Sequence, residues 1–266
     1  MILSKNGQKL IKHYGTMARD GIVHRSGKKV ENVYNDFQLT KFRHIVLPSF
    51  KELKIESVLD YGGGGSNWDK SNFDPETGQT AKQFFAVKKV TTFEPARQLN
   101  KKERSDCVTC VDVLEHIFLA DVSNIVRELF SLANKLLVIN VACYEASALL
   151  PNGENAHITV RSPDWWNGLV NAISNDFPEV EVLLICSETF SAGIIYKSYK
   201  SKDWDDSKTF TVSVISTRFG DPVDKFTPED IVAGVDQLTK KYPKTIPFIL
   251  KILKNNNKVL NSTVFD

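Results

Sequence analysis

The feature that most constrains the fold is an apolar segment running straight into glycine. Ser57-Val58-Leu59-Asp60-Tyr61 is followed by Gly62, Gly63, Gly64 and Gly65. A short apolar run of this kind reads as a buried strand, and the glycines let the chain turn sharply and let a ligand approach the main chain. The rhythm then repeats. VTTFEPA reads as a second strand, DCVTCVDVL as a third, KLLVINVA as a fourth, and VEVLLICSE and KTFTVSVIS as the fifth and sixth. Helical spacing falls over 32–53, where Pro48 should kink or end part of the run, and over 80–87, 121–134 and 163–175. Two more helices are expected over 227–238 and 246–259. Strands alternating with helices predict an α/β fold with a doubly wound, mostly parallel sheet. The polar region 197–208 separates the last two strands and predicts that they pair antiparallel.

Eleven residues separate Glu94 from Asp106. A crossover alone takes about 10–12 residues, so no helix–strand unit is expected there. The 266 residues allow one large domain or two small ones at roughly 150 residues each. A hydrophobic share of 42% and a charged share of 25% exclude a disordered or fibrous chain. No stretch approaches the roughly 18 apolar residues of a membrane span, and the opening residues lack the pattern of a secretory leader. The four cysteines sit in apolar contexts, which predicts reduced thiols and a cytoplasmic protein. Cys107 and Cys110 form a CxxC, but three residues apart on a strand they face opposite sides, as core thiols. Residues 1–30 carry seven Lys or Arg against one acid, and 237–265 carry six Lys and none, leaving an acidic middle. Such ends suit solvated helices, or docking to an anionic partner.

Ligands of open α/β sheets bind at the carboxyl ends of the strands. Asp60 is expected at that mouth, and Glu94, ending the second strand, can accept both hydroxyls of a ribose. The loop is not a pyrophosphate fingerprint, because Asn67, Trp68 and Asp69 stand where a third glycine would open the helix. No GxxxxGK[ST] is present either.

VLDYGGGG, then FEPA, then DCVTCVDVLEHI, resembles the class I S-adenosylmethionine-dependent methyltransferases, closest to the group acting on small molecules, quinone precursors and sugars. It is also similar to uncharacterised bacterial and phage methyltransferases. The resemblance spans about 55–190. It implies a Rossmann-like domain over 55–220, a helical lid segment over 1–54 and a C-terminal helical appendage over 221–266. S-adenosylmethionine would be bound by Asp60, Gly62, Gly63, Gly64, Glu94, Asp112 and Val113. The implied reaction is in-line displacement of methyl onto an oxygen or nitrogen of a small molecule or surface glycan. A nucleic-acid acceptor is disfavoured, because no (D/N/S)PP(Y/F) motif ends the third strand.

His157, in the polar loop 151–157, is the candidate base, since imidazole takes a proton near neutral pH, and Asn152, Glu154 and Asn155 are expected to fix its tautomer. Glu115 and His116 are further catalytic candidates. Tyr14, Arg43, Trp165 and Trp166 are expected at the acceptor, with one of the two tryptophans turned into the core. Ser162 and Pro163 read as the cap and first residue of their helix. Asp112-x-x-Glu115-His116 with His157 is also similar to the cluster of a metal-dependent group of RNA-end methyltransferases. No metal centre is assigned from it; cation-assisted methylation of an RNA end, and an S-adenosylmethionine-binding module without catalysis, are the alternatives.

Overall fold

The computed structural model describes residues 3–31, 37–189 and 192–198, together with the backbone of 211–216, 253–254 and 258–259. The chain begins with helix α1 (Lys5–Asp20), which no strong apolar run announces. Ser4 caps it by accepting the Gly7 N–H, and Gly21 ends it at φ 85°. Strands β1 (Ile22–His24) and β2 (Lys29–Val30) form a hairpin, and helix α2 (Leu39–Glu52) follows. Pro48 lies inside α2 and does not break it; the helix runs on for about one turn beyond, consistent with the loss of a single ladder donor.

The central sheet is built from β3 (Ser57–Tyr61), β4 (Lys89–Phe93), β5 (Ser105–Val111), β6 (Ala133–Ala142), β8 (Glu181–Thr189), β9 (Ala192–Ser198) and β10 (Thr211–Ser216). Its order is β10-β9-β8-β6-β5-β3-β4, with parallel pairing from β8 to β4. A short strand, β7 (Ala148–Leu149), leaves this sheet and pairs with β1 instead. Between Glu94 and Asp106 the chain makes one 3-10 turn, Pro95–Arg97, and a Glu94–Leu99 bridge, so no helix–strand unit intervenes.

The expectation for the last two strands needs correction. β9 inserts between β8 and β10 and is antiparallel to both, so those two run parallel and never touch as neighbours. The segment Ala192–Tyr196 is short and begins with Ala-Gly, which masks its strand character beside the polar region that follows. At the C-terminal end, β11 (Leu253–Lys254) pairs antiparallel with β12 (Lys258–Val259), so these four residues are not helical as expected. The three asparagines between them favour turns over helix. The helix expected over 227–238 lies outside the described residues.

Helices cover both faces. On one, α4 (Leu119–Leu132) and α5 (Pro163–Ser174) bury Ile125, Leu129, Trp166 and Val170 against Leu59, Cys110, Ile139 and Leu184. On the other, α2 and the short α3 (Ala81–Phe85) bury Phe42, Val46 and Phe85 against Val58, Cys107, Val138 and Ile185. The strand residues of the two sets alternate, as the period of two requires, and Cys107 and Cys110 fall on opposite faces. A third cluster fastens α1, through Leu10 and Met17, to Ala146, Leu150 and Ala156. No helix among the described residues is long and apolar enough to cross a membrane.

Candidate functional site

The site starts at the turn after β3. Gly62 (φ 72°) and Gly64 (φ 56°) hold left-handed backbone that disfavours other residues. A Cβ on Gly62 would come within 2.5 Å of Val113 Cγ2, so the turn packs directly on the end of β5. Gly62 N–H donates to the Phe93 carbonyl at 2.7 Å. Gly64 N–H donates to Glu94 Oε2 and Ala96 N–H to Glu94 Oε1, both at 3.0 Å. The Glu94 carboxylate is thereby held still with lone pairs to spare. Burial raises its pKa, and the two amide bonds partly offset that rise.

Glycine turn, Glu94 and the end of β5 form one wall of a cleft. The opposite wall is α1, whose Gly7, Leu10, Ile11, Tyr14 and Ala18 face it, with Leu3 just ahead of the helix. Residues three or four apart share a helix face, so this stripe was a legible signal that the sequence reading passed over. The helix is pinned at one end by Asp121, which accepts Ser4 N–H at 2.8 Å and Ser4 Oγ–H at 2.7 Å. At the other, Gly15 packs on Ala96; a Cβ there would lie 3.2 Å from the Ala96 carbonyl oxygen.

Two residues of the cleft lining, Asp112 and His116, converge with Glu115 and His157, which do not line it. Asp112, Glu115, His116 and His157 each place one ligand atom within 4.8 Å of the others. Asp112 holds φ 60°, a strained backbone for a non-glycine residue. The 3-10 turn Leu114–His116 then delivers Glu115 and His116. Glu115 is fully buried; its Oε1 accepts the Ala142 N–H at 2.6 Å, and its Oε2 has no hydrogen-bond partner. Burial, and then the Asp112 carboxylate, raise the Glu115 pKa well above the ordinary range. Enclosure by the surrounding chain lowers His116 to about 4, although part of its ring surface reaches the cleft.

Both imidazoles point Nδ1 at a carbonyl oxygen, His116 at Ala156 (2.9 Å) and His157 at Tyr144 (2.5 Å). A nitrogen at that distance from a carbonyl carries the proton, so each ring keeps its lone pair on Nε2. Two carboxylates, one of them with an oxygen no donor reaches, and two such nitrogens fit a divalent cation, and the Nδ1–carbonyl bonds are the outer support that metal-bound histidines use. His44, Asp74 and Glu76 form a second acidic group, but there Asp74 is taken up by Thr77 and Arg43.

Several expected residues lie elsewhere. Asp60 does not line the cleft; it is buried and accepts bonds from Ser66, Trp68 Nε1 (3.0 Å) and Thr109 Oγ1 (3.1 Å), bracing the glycine turn from beneath. Gly63 packs on that carboxylate and does not line the cleft either. Arg43 is on α2 and pairs with buried Asp74 at 3.0 Å, far from any acceptor role. Trp166 is fully buried in the core, where a ligand cannot reach it. Trp165 packs edge-on against it, 4.9 Å between ring centres, outside the cleft lining and beside Arg161. Ser162 and Pro163 do start their helix. Asn152 and Glu154 bond each other on the surface, and the His157 tautomer is set by Tyr144 instead. Tyr14 lies in the cleft, in contact with His116. Protein-family models, curated proteins and solved structures contain no match to this chain.

Proposed function

We propose that this protein is an S-adenosylmethionine-dependent methyltransferase with a Rossmann-like core and α1 as its lid. The observation that carries the reading is Glu94, immobilised by the Gly64 and Ala96 amides at the wall of the cleft. A carboxylate so placed would accept the ribose hydroxyls, while Gly62, Gly64, Asp112 and Val113 would border the rest of the cofactor. Bound S-adenosylmethionine would supply a methyl group already activated by its positive sulfur. The chain's own contribution is to orient the acceptor, exclude water under α1 and take up one proton.

The acceptor end is the Asp112–Glu115–His116–His157 group, which shares Asp112 and His116 with the cleft lining. That overlap supports an acceptor held beside the cofactor. In the first form of the reading, His157 Nε2 takes the acceptor proton, and the acceptor is a small molecule or surface glycan. A second form is favoured by the orphaned Glu115 Oε2: the four residues hold a divalent cation, which would lower the pKa of an acceptor hydroxyl. Two carboxylates with two imidazoles suit a borderline divalent cation such as Mn²⁺, and a cation of that kind would favour an oxygen acceptor, whether on a glycan or at an RNA end.

The test is release of S-adenosylhomocysteine against pooled sugar, small-molecule and RNA-end acceptors, with EDTA or with Mn²⁺. Turnover in EDTA that His157→Ala lowers about a hundredfold supports the base form. Turnover that requires Mn²⁺ supports the cation form. Absence of turnover in both, with bound cofactor, overturns the enzymatic reading.

A further inference from the structure

The geometry points to Tyr14 as a positioning residue: from the lid helix it clamps His116 by Nδ1 and leaves Nε2 as the nitrogen open to the group formed with Asp112, Glu115 and His157, making α1 part of the cation site. The inference rests on the cation form of the proposed function.

Three polar atoms meet at this point. Tyr14 Oη lies 2.7 Å from His116 Nδ1 and 2.8 Å from the Ala156 carbonyl oxygen, and His116 Nδ1 lies 2.9 Å from that same oxygen. One arrangement of protons satisfies all three distances. The carbonyl can only accept, so Tyr14 donates its hydroxyl to it, and His116 carries its proton on Nδ1, shared between the carbonyl and the tyrosine oxygen. An unprotonated Nδ1 would instead set two lone pairs against each other at 2.9 Å. The Tyr14 ring adds an edge-on contact with the imidazole, 5.1 Å between centres, which fixes its plane. His116 Nε2 is thus the nitrogen left to a ligand.

Sequence places these partners far apart: Tyr14 on α1, His116 after β5, and Ala156 beside His157. One phenol therefore ties the lid helix to two of the elements that supply the cation ligands. The same face of α1 lines the cleft. A ligand that holds α1 down also holds His116 in place, so cofactor and cation should each raise the other's affinity, by the same factor.

The experiment uses the full chain, Tyr14→Phe and Mn²⁺ as probe. Calorimetric Mn²⁺ titrations are made with and without S-adenosylhomocysteine, and nitrogen-15 spectra report which His116 nitrogen is protonated. Wild type should show Nδ1 protonated and tighter Mn²⁺ binding when the nucleoside is present. Tyr14→Phe, which keeps the ring, should weaken Mn²⁺ about ten- to a hundredfold, the usual effect of losing a ligand's outer partner. It should also mix the His116 tautomers and abolish the coupling. Equal Mn²⁺ affinity and an unchanged tautomer in the variant would overturn the role of Tyr14 and leave the cation form standing. Wild type that binds the nucleoside but no Mn²⁺ would overturn both, with the cofactor reading intact. Should the variant not fold, wild-type His116 protonated on Nε2 is by itself a contradiction.

Discussion

The rings of His116 and His157 meet edge to face with 4.8 Å between their centres, and each turns Nδ1 toward a main-chain carbonyl. Neither histidine could be held this way by its neighbours in sequence. Ala156 supplies the carbonyl for His116, and Tyr144 the one for His157. The loop between β6 and α5 therefore both carries one histidine and orients the other. Its cost is concentrated at two acids beside them: Asp112 on strained backbone and Glu115 with an unpartnered buried oxygen. Strain and orphaned polar atoms collect where function demands them.

Glu115 predicts a pH signature. Its pKa is raised by burial and by Asp112, so the folded chain keeps a proton that the unfolded chain has already released. Metal-free stability should fall as pH rises from the ordinary glutamate range through the raised value. Mn²⁺ should reverse that fall. Glu115→Gln should flatten it and weaken Mn²⁺ at least about tenfold. Melting temperatures across pH, in EDTA and in Mn²⁺, check both; an unchanged slope with undiminished Mn²⁺ stabilisation would contradict the role of Glu115.

Asp112→Gly separates stability from function. Glycine adopts φ 60° freely, and the change also removes a carboxylate beside Glu115. Stability should hold or rise by up to about 1 kcal/mol, since left-handed backbone costs a non-glycine residue about 1–2 kcal/mol and glycine loses some of this to chain entropy. Mn²⁺ affinity should collapse. Denaturant titration beside calorimetry decides; a less stable variant with full affinity would show that Asp112 is merely structural.

The strands that deliver the site were legible because each is an apolar run ending in polar residues or glycine, and a period of two or a short run survives without tertiary context. The gap between Glu94 and Asp106 was legible from length alone. Helix α1 was expected only as part of a helical segment over 1–54; its bounds and its face were not read, although Ser4, the stripe Gly7, Leu10, Ile11, Tyr14 and Ala18, and Gly21 spell a cap, a face and a stop. Its lysines masked a weak apolar face that has meaning only once the cleft exists. Arg43 was misjudged for a related reason: residue type suggests chemistry, while Asp74 decides where its side chain points; that one tryptophan of the pair turns into the core was foreseen, and Trp166 is that one. Asp112, Glu115, His116 and His157 were grouped through a resemblance to a metal-dependent RNA-end methyltransferase cluster, while their convergence depends on a loop whose path no local pattern encodes.

Gly62→Ala should disrupt the turn through Val113. The added Cβ meets Val113 Cγ2 at 2.5 Å on backbone at φ 72°, and overpacking of this kind costs about 1–3 kcal/mol. Shortening the neighbour in Gly62→Ala/Val113→Ala should recover part of that loss. A double-mutant cycle in denaturant with no coupling would show that the two do not press on each other.

Arg43→Ala should act on stability alone. It leaves the Asp74 carboxylate without its cation, which should lower stability, less so because the Thr77 bond remains. Nucleoside and Mn²⁺ affinity of the folded variant should match wild type. A selective loss of ligand affinity would return Arg43 to the site.

The central claim is that the cleft binds S-adenosylmethionine through Glu94, and calorimetric titration of wild type and Glu94→Ala tests it most directly. Wild type should bind one equivalent, and more weakly as pH falls through a value above the ordinary glutamate range, because burial raises the Glu94 pKa. The variant should lack that acid limb. Its affinity should fall by about 3–4 kcal/mol, roughly 150- to 900-fold, the sum of two charge-assisted bonds of roughly 1.5–2 kcal/mol each. A 2′-deoxyribose analogue should bind wild type weakly and lose little more in the variant. No binding to wild type, or equal affinity in a folded Glu94→Ala, would contradict the account.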